Sequence, residues 1–160
     1  MLNLDESAAV QSPQDQIIYA LRAELLEYGG LLNLFDQQEE AILNQKPATV
    51  TEVALRLEAQ LATVRARSFR RKGLVSALTP NAGAWPALFR TMPCFPLAMR
   101  PLLEALLTEV NRLIAKVRRR AQQNQMLLAR ELHELLNPVG VIRAYAPATV
   151  ASKARGLPLH

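Results

Sequence analysis

The chain has 160 residues, half of them apolar but only 5% aromatic, and a formal net charge of +5. That length fits a single domain, and a composition led by leucine, alanine, glutamine, glutamate and arginine is that of a helical bundle. No stretch of about 18 uncharged apolar residues occurs and the opening MLNLDESAAVQSPQDQ is acidic and polar, so no membrane insertion and no signal peptide are expected; the compartment read from this is cytoplasmic. Cys94 is the single cysteine and has no histidine near it in sequence, which leaves no internal disulfide and no metal signature.

Residues 1–12 lack helical periodicity and read as a loose leader. Ser12-Pro13 then supplies an N-cap and a proline at the first helical position, with Asp15 in the first turn, which predicts a helix over 13–46. Ile18, Leu21, Leu25, Tyr28, Leu32, Phe35 and Ile42 return at alternating steps of three and four, with Glu39 the one polar intruder. Gly29-Gly30 falls inside this pattern, yet Tyr28 and Leu32 stay in phase across it. One continuous helix is expected, with the glycines marking a close approach of another helix rather than a hinge.

Lys46-Pro47 ends the first helix in this reading. Thr49 and Glu52 have the spacing of a capping box and open a second helix over 49–78, whose stripe Val53, Leu57, Leu61, Val64, Val75 and Leu78 is interrupted at Ser68 and Arg71. The short connection makes the two helices an antiparallel hairpin. Residues 79–100 form a connector in which Pro80, Pro86, Pro93 and Pro96 forbid a long helix, while Trp85, Phe89 and Phe95 require cover from water. It is expected to fold back on the bundle, with a short helix from Ala84 to Thr91.

The longest pattern starts near Leu97 and is unbroken over 101–136. Leu103, Leu106, Val110, Leu113, Val117, Ala121, Leu128, Leu132 and Leu135 form its main stripe, flanked by Leu102, Leu107, Ile114, Leu127 and Leu136. At 1.5 Å per residue it makes a rod of roughly 55 Å. Its apolar arc is broader than a two-helix seam, which fits either a central place in the bundle, the reading preferred for any single leucine, or an arc partly left for another protein's helix. Asn137-Pro138-Val-Gly140 is a stop, and residues 137–160, without a sustained period, read as a mobile tail. The fold class expected is therefore all-α: an antiparallel helical bundle or coiled coil with two long N-terminal helices, a proline-rich connector and one long C-terminal helix.

Charge is unevenly spread. Residues 1–45 hold eight acids against one base, residues 46–80 seven bases against two acids, and the remainder eleven bases against four acids. An acidic first helix among basic ones complements itself within the fold. The basic runs at 65–73 and at Lys116 with Arg118, Arg119 and Arg120 lack interleaved aromatics, and are read as solvated faces or partners of the first helix, so nucleic-acid binding ranks low. No catalytic constellation is found: His133 stands beside Glu131 and Glu134 without the spacing of a di-iron bundle, Cys94 has no partner and no glycine-rich phosphate loop exists. No catalytic residue, metal or cofactor is assigned.

The hairpin stretch LRAELLEYGGLLNLFDQQEEAIL (Leu21 to Leu43), with Arg65 and Arg67 late in the second helix, the proline-rich connector and Asn124 shortly before Leu127-Leu128, resembles the FlgN-like flagellar export chaperones over roughly residues 14 to 145. The resemblance implies a cytoplasmic, non-enzymatic chaperone of flagellar type III secretion. Its clients would be the hook-associated proteins of the hook–filament junction, held through their C-terminal helical segments and delivered to the export gate. It places client binding on Leu127, Leu128, Leu132, Leu135 and Leu136 and export-gate contact on Tyr145, although Gly156 lies farther from Tyr145 than the family spacing has it. The alternatives are a structural homodimer using the same surface and, third, a nucleic-acid-binding helical protein.

Overall fold

The computed structural model describes residues 11–81 and 88–137. Every regular element among them is helical: α1 (Pro13–Leu43), α2 (Pro47–Leu78) and α3 (Arg100–Leu136), with 3-10 helical segments at Leu88–Cys94 and Leu97–Met99 ahead of α3. This is the all-α class. Most of the leader, Trp85 and the tail from Pro138, including Tyr145, lie outside the described residues.

α1 opens as its sequence dictates. Ser12 Oγ accepts from the Asp15 backbone N–H at 3.1 Å and donates to the Asp15 carboxylate at 2.7 Å, so two groups at the helix start satisfy each other. Its end comes earlier than the expected 46. The Gln45 N–H donates to the Ile42 carbonyl and the Lys46 N–H to the Ala41 carbonyl, both at 2.9 Å, while Gln45 takes φ of 50°. This is a Schellman closure with glutamine in the left-handed position that glycine usually fills.

α2 then begins at Pro47, two residues before the expected start. The capping box at Thr49 and Glu52 does not form, because Pro47 does not merely end one helix: its missing N–H and fixed φ suit the first position of the next. No side-chain cap is present at this end of α2.

Cross-helix pairs set the arrangement. Arg71 meets Glu24, Arg67 and Gln60 meet Glu27, and Arg56 meets Gln37, so partners on α2 fall in number as those on α1 rise. Partners on α3 rise with α1: Gln14 reaches the Cys94 carbonyl just before α3, and Asn124 reaches the Phe35 carbonyl. Both α2 and α3 pack on α1, and scarcely on each other. The central helix is therefore α1, a correction to the expectation that the last helix holds that place. α1 buries residues all along its length, from Ile17 and Leu21 through Leu31 to Ile42, whereas α3 fully buries Leu103, Val110 and Asn124 alone. The broad apolar arc of α3 is real but largely half-buried, because one long partner covers it rather than two.

Polar ties pin these contacts. Glu24 is fully buried; Arg71 Nε donates to its carboxylate at 2.6 Å and a second guanidinium nitrogen at 3.2 Å, while the Tyr28 hydroxyl donates at 3.4 Å. Burial and the neighbouring Glu24 charge push the Tyr28 hydroxyl up to a pKa of about 12. On the other side Arg120 pairs with Asp36 and, at 2.7 Å, with Glu39, which explains the polar position in the α1 seam. Asn124 Nδ2 donates to the Phe35 carbonyl at 2.8 Å and to Gln38 at 3.0 Å.

The glycine pair divides in two. A Cβ on Gly30 would lie 2.9 Å from Gln60 Nε2, whereas one on Gly29 would meet nothing within 4 Å. Gln60 uses that space to donate to the Glu27 backbone carbonyl at 3.0 Å. The described part of the connector folds back on the bundle, with Leu88, Thr91 and Phe95 buried, although Phe89 stays exposed. Its described 3-10 segment, Leu88–Cys94, overlaps the end of the short helix expected from Ala84 to Thr91 and runs past it, while residues 84–87 lie outside the described set.

This packing makes the two glycines and the buried tyrosine testable. Gly29→Ala raises stability by about 0.5–1 kcal/mol in urea unfolding, by removing unfolded-state freedom at an open helical site, while Gly30→Ala gains nothing or loses because Gln60 must move. Tyr28 ionises above its ordinary value in the folded state, so stability is held below pH 10 and falls as pH rises from 10 toward about 12. The urea midpoint measured across that range should drop in the wild type more than in Tyr28→Phe.

Candidate functional site

α3 outruns α1. From the level of Asn124 it continues for roughly three turns to Leu136, while α1 goes from Gln38 little more than one turn to Leu43 before Gln45 turns the chain back. The last turns of α3 therefore lie beside the α1–α2 turn and the start of α2 instead of beside a third long helix. A groove of about 380 Å³ opens there, lined by Ala41, Ile42, Gln45, Lys46, Pro47, Val50 and Thr51 on one wall and Leu128, Glu131, Leu132 and Leu135 on the other.

Of the residues expected to bind a client, Leu128, Leu132 and Leu135 share this groove. Their steps of four and three keep them on one face of α3. Leu128 is half-buried, and Leu132 and Leu135 are 50% and 68% exposed. Leu127 is half-buried outside the groove lining, and Leu136, 79% exposed, also lies outside it. Tyr145 falls outside the described residues. Sequence reasoning does not single out Ile42, Pro47 and Val50 as site residues. The signal for them is length: a third helix longer than the first must meet the turn that ends it.

His133 is exposed and, among the described residues, its ring pairs with Asn137, one turn on, at 3.1 Å, and Cys94 is exposed. Among the described residues no group of three histidine, cysteine or acidic side chains is placed to hold a metal, and no helix is long and apolar enough to cross a membrane. The chain matches no family model, no curated protein and no solved structure.

Burial sorts the α3 leucines by what a charge would do. Leu132→Asp and Leu135→Asp should shift unfolding by less than about 1 kcal/mol, as surface changes do, whereas Leu103→Asp, at 0% exposure, should cost several kcal/mol. Thermal melts of the three variants monitored by circular dichroism check this ordering.

Proposed function

We propose that this chain is a cytoplasmic, non-enzymatic export chaperone of the FlgN-like kind: an antiparallel helical bundle or coiled coil that holds hook-associated proteins by their C-terminal helical segments and delivers them to the flagellar type III export gate. The observation that supports it most is the apolar groove at the overhanging end of α3, where Leu132 and Leu135 stand in water. A monomer exposing such a patch has an interaction surface, and a grooved apolar surface beside a helix suits an amphipathic helix as ligand. Leu127, Leu128, Leu132, Leu135 and Leu136 form the client face in this proposal, and Tyr145 contacts the gate.

A second reading rests on the same exposed leucines. A second copy of the chain can cover them as a client does, giving a homodimer. Nucleic-acid binding draws less support, because Arg67, Arg71 and Arg120 in the two basic runs are engaged with acids of α1.

Isothermal titration with a C-terminal helical segment of a hook-associated protein tests the chaperone reading. The wild type should bind, Leu132→Asp should weaken binding at least about tenfold, equivalent to roughly 1.4 kcal/mol, and melting should be nearly unchanged. Absence of binding by a folded wild type, or melting collapse in every groove variant, removes the client site.

A further inference from the structure

α3 loses its partner before it ends. The α1–α3 interface runs from Leu103 and Val110 through Asn124, and its last fully covered α1 residue is Ile42, at 3% exposure, with Leu43 next to it at 60%. The Schellman closure at Gln45 stops α1 at this level, so Leu128, Leu132 and Leu135 continue an established seam with no described residue in the place of α1. What remains beside them is the opposite wall made by Ile42, Pro47 and Val50. Lys46 stands on that wall and Glu131 on the α3 wall, and neither forms an ion pair among the described residues.

We propose that the turn between α1 and α2 is the second wall of the client site, and that its occupant is one amphipathic client helix that carries on the role of α1 along the end of α3. This deepens the chaperone reading and rests on it. The occupant presents apolar side chains at i, i+3 or i+4, and i+7 to Leu128, Leu132 and Val50, the spacing that puts one stripe on one helix face. On its flanks it carries an acid toward Lys46 and a base toward Glu131, so the rim charges select orientation while the apolar stripe supplies affinity. Specificity then belongs partly to the hairpin and not to α3 alone.

Substitutions on the hairpin wall separate the two. Val50 is half-buried and Thr51 exposed, both near the N-terminus of α2, an end with no acidic residue in its first turn. An acid there is favoured by the helix dipole, so Val50→Asp and Thr51→Glu retain the fold. The probes are a labelled amphipathic peptide with leucine at i, i+3, i+4 and i+7 and glutamate on one flank, the same peptide with lysine there, and the hook-associated segment. By fluorescence anisotropy, Val50→Asp and Thr51→Glu each weaken binding of the glutamate peptide and of the segment at least about tenfold, because a charge faces the apolar stripe. Lys46→Glu weakens the glutamate peptide about threefold and strengthens the lysine peptide by a similar factor, the scale of an exposed ion pair.

If Leu132→Asp abolishes binding of the segment while both hairpin variants bind as the wild type does, α3 acts alone; the proposal is overturned and the chaperone reading stands. If the segment binds but neither designed peptide does, the assigned helix chemistry is wrong. Sedimentation of the wild type as a dimer that Val50→Asp dissociates assigns the groove to a second copy and overturns it as well. Failure of the folded wild type to bind any probe overturns both readings together.

Discussion

A carboxylate with no access to water must have its counter-charge within reach, and Glu24 in the middle of α1 imposes that condition on the bundle. Removing Arg71 would strand the charge at a cost of about 3–5 kcal/mol, the scale for breaking a buried pair from one side. Sliding α2 by one turn would do the same. The pair therefore acts as a register mark more than as a source of stability, since an apolar pair of equal volume could pack as well. Asn124 plays a comparable part on the other flank, where its amide nitrogen finds Phe35 and Gln38 but its Oδ1 is buried without a hydrogen-bond partner among the described residues. An unmet acceptor costs about 1–3 kcal/mol, which is consistent with the use of a single buried asparagine to fix alignment rather than to maximise affinity between helices.

The uneven charge of the sequence has its meaning in this arrangement. α1 supplies Glu24, Glu27, Asp36 and Glu39, and the helices on its two sides answer with Arg71, Arg67 and Arg120. Because α2 and α3 are both basic, they lack electrostatic reason to meet each other, and they meet α1 instead. Arg118 extends this field inward, since its charge opposes the rise in the Tyr28 pKa. Other bases, among them Arg65, Arg70, Lys116 and Arg119, are exposed to solvent.

Much of the helical framework is legible because its signals are local. Ser12-Pro13-Gln-Asp15 caps α1 as such a string should, and three helical periodicities, the second interrupted at Ser68 and Arg71, become three helices. Pro47 misleads because a proline has two meanings: it closes the helix on its N-terminal side and opens the one on its C-terminal side. The identity of the central helix is not legible from stripe width alone, because periodicity reports which face avoids water and not how many neighbours cover it. Ile17-Ile18, Ala20-Leu21, Leu34-Phe35 and Ala41-Ile42, four adjacent apolar pairs all buried in α1, carry the better clue, since two neighbours on one helix lie about 100° apart and need cover from two directions. Leu128, Leu132 and Leu135 can be picked from the sequence as one face, but their opposite wall is tertiary: it depends on where α1 stops, and a glutamine in a position that usually takes glycine gives little notice of that.

The scant contact between α2 and α3 has a consequence for how the chain acquires this shape. α1 and α2 are neighbours in sequence, joined by a tight turn, so their pairing closes short loops and can proceed quickly. α3 must find α1 across the whole of α2 and the connector, with hydrogen-bonded partners separated by more than eighty positions, and almost nothing on α2 to guide it. Loop closure thus costs the hairpin less than it costs the docking of α3, which favours pairing of α1 with α2 ahead of the third helix. During synthesis the order is the same: the hairpin emerges complete while α3 is still being made, and its acidic central helix waits with one flank open.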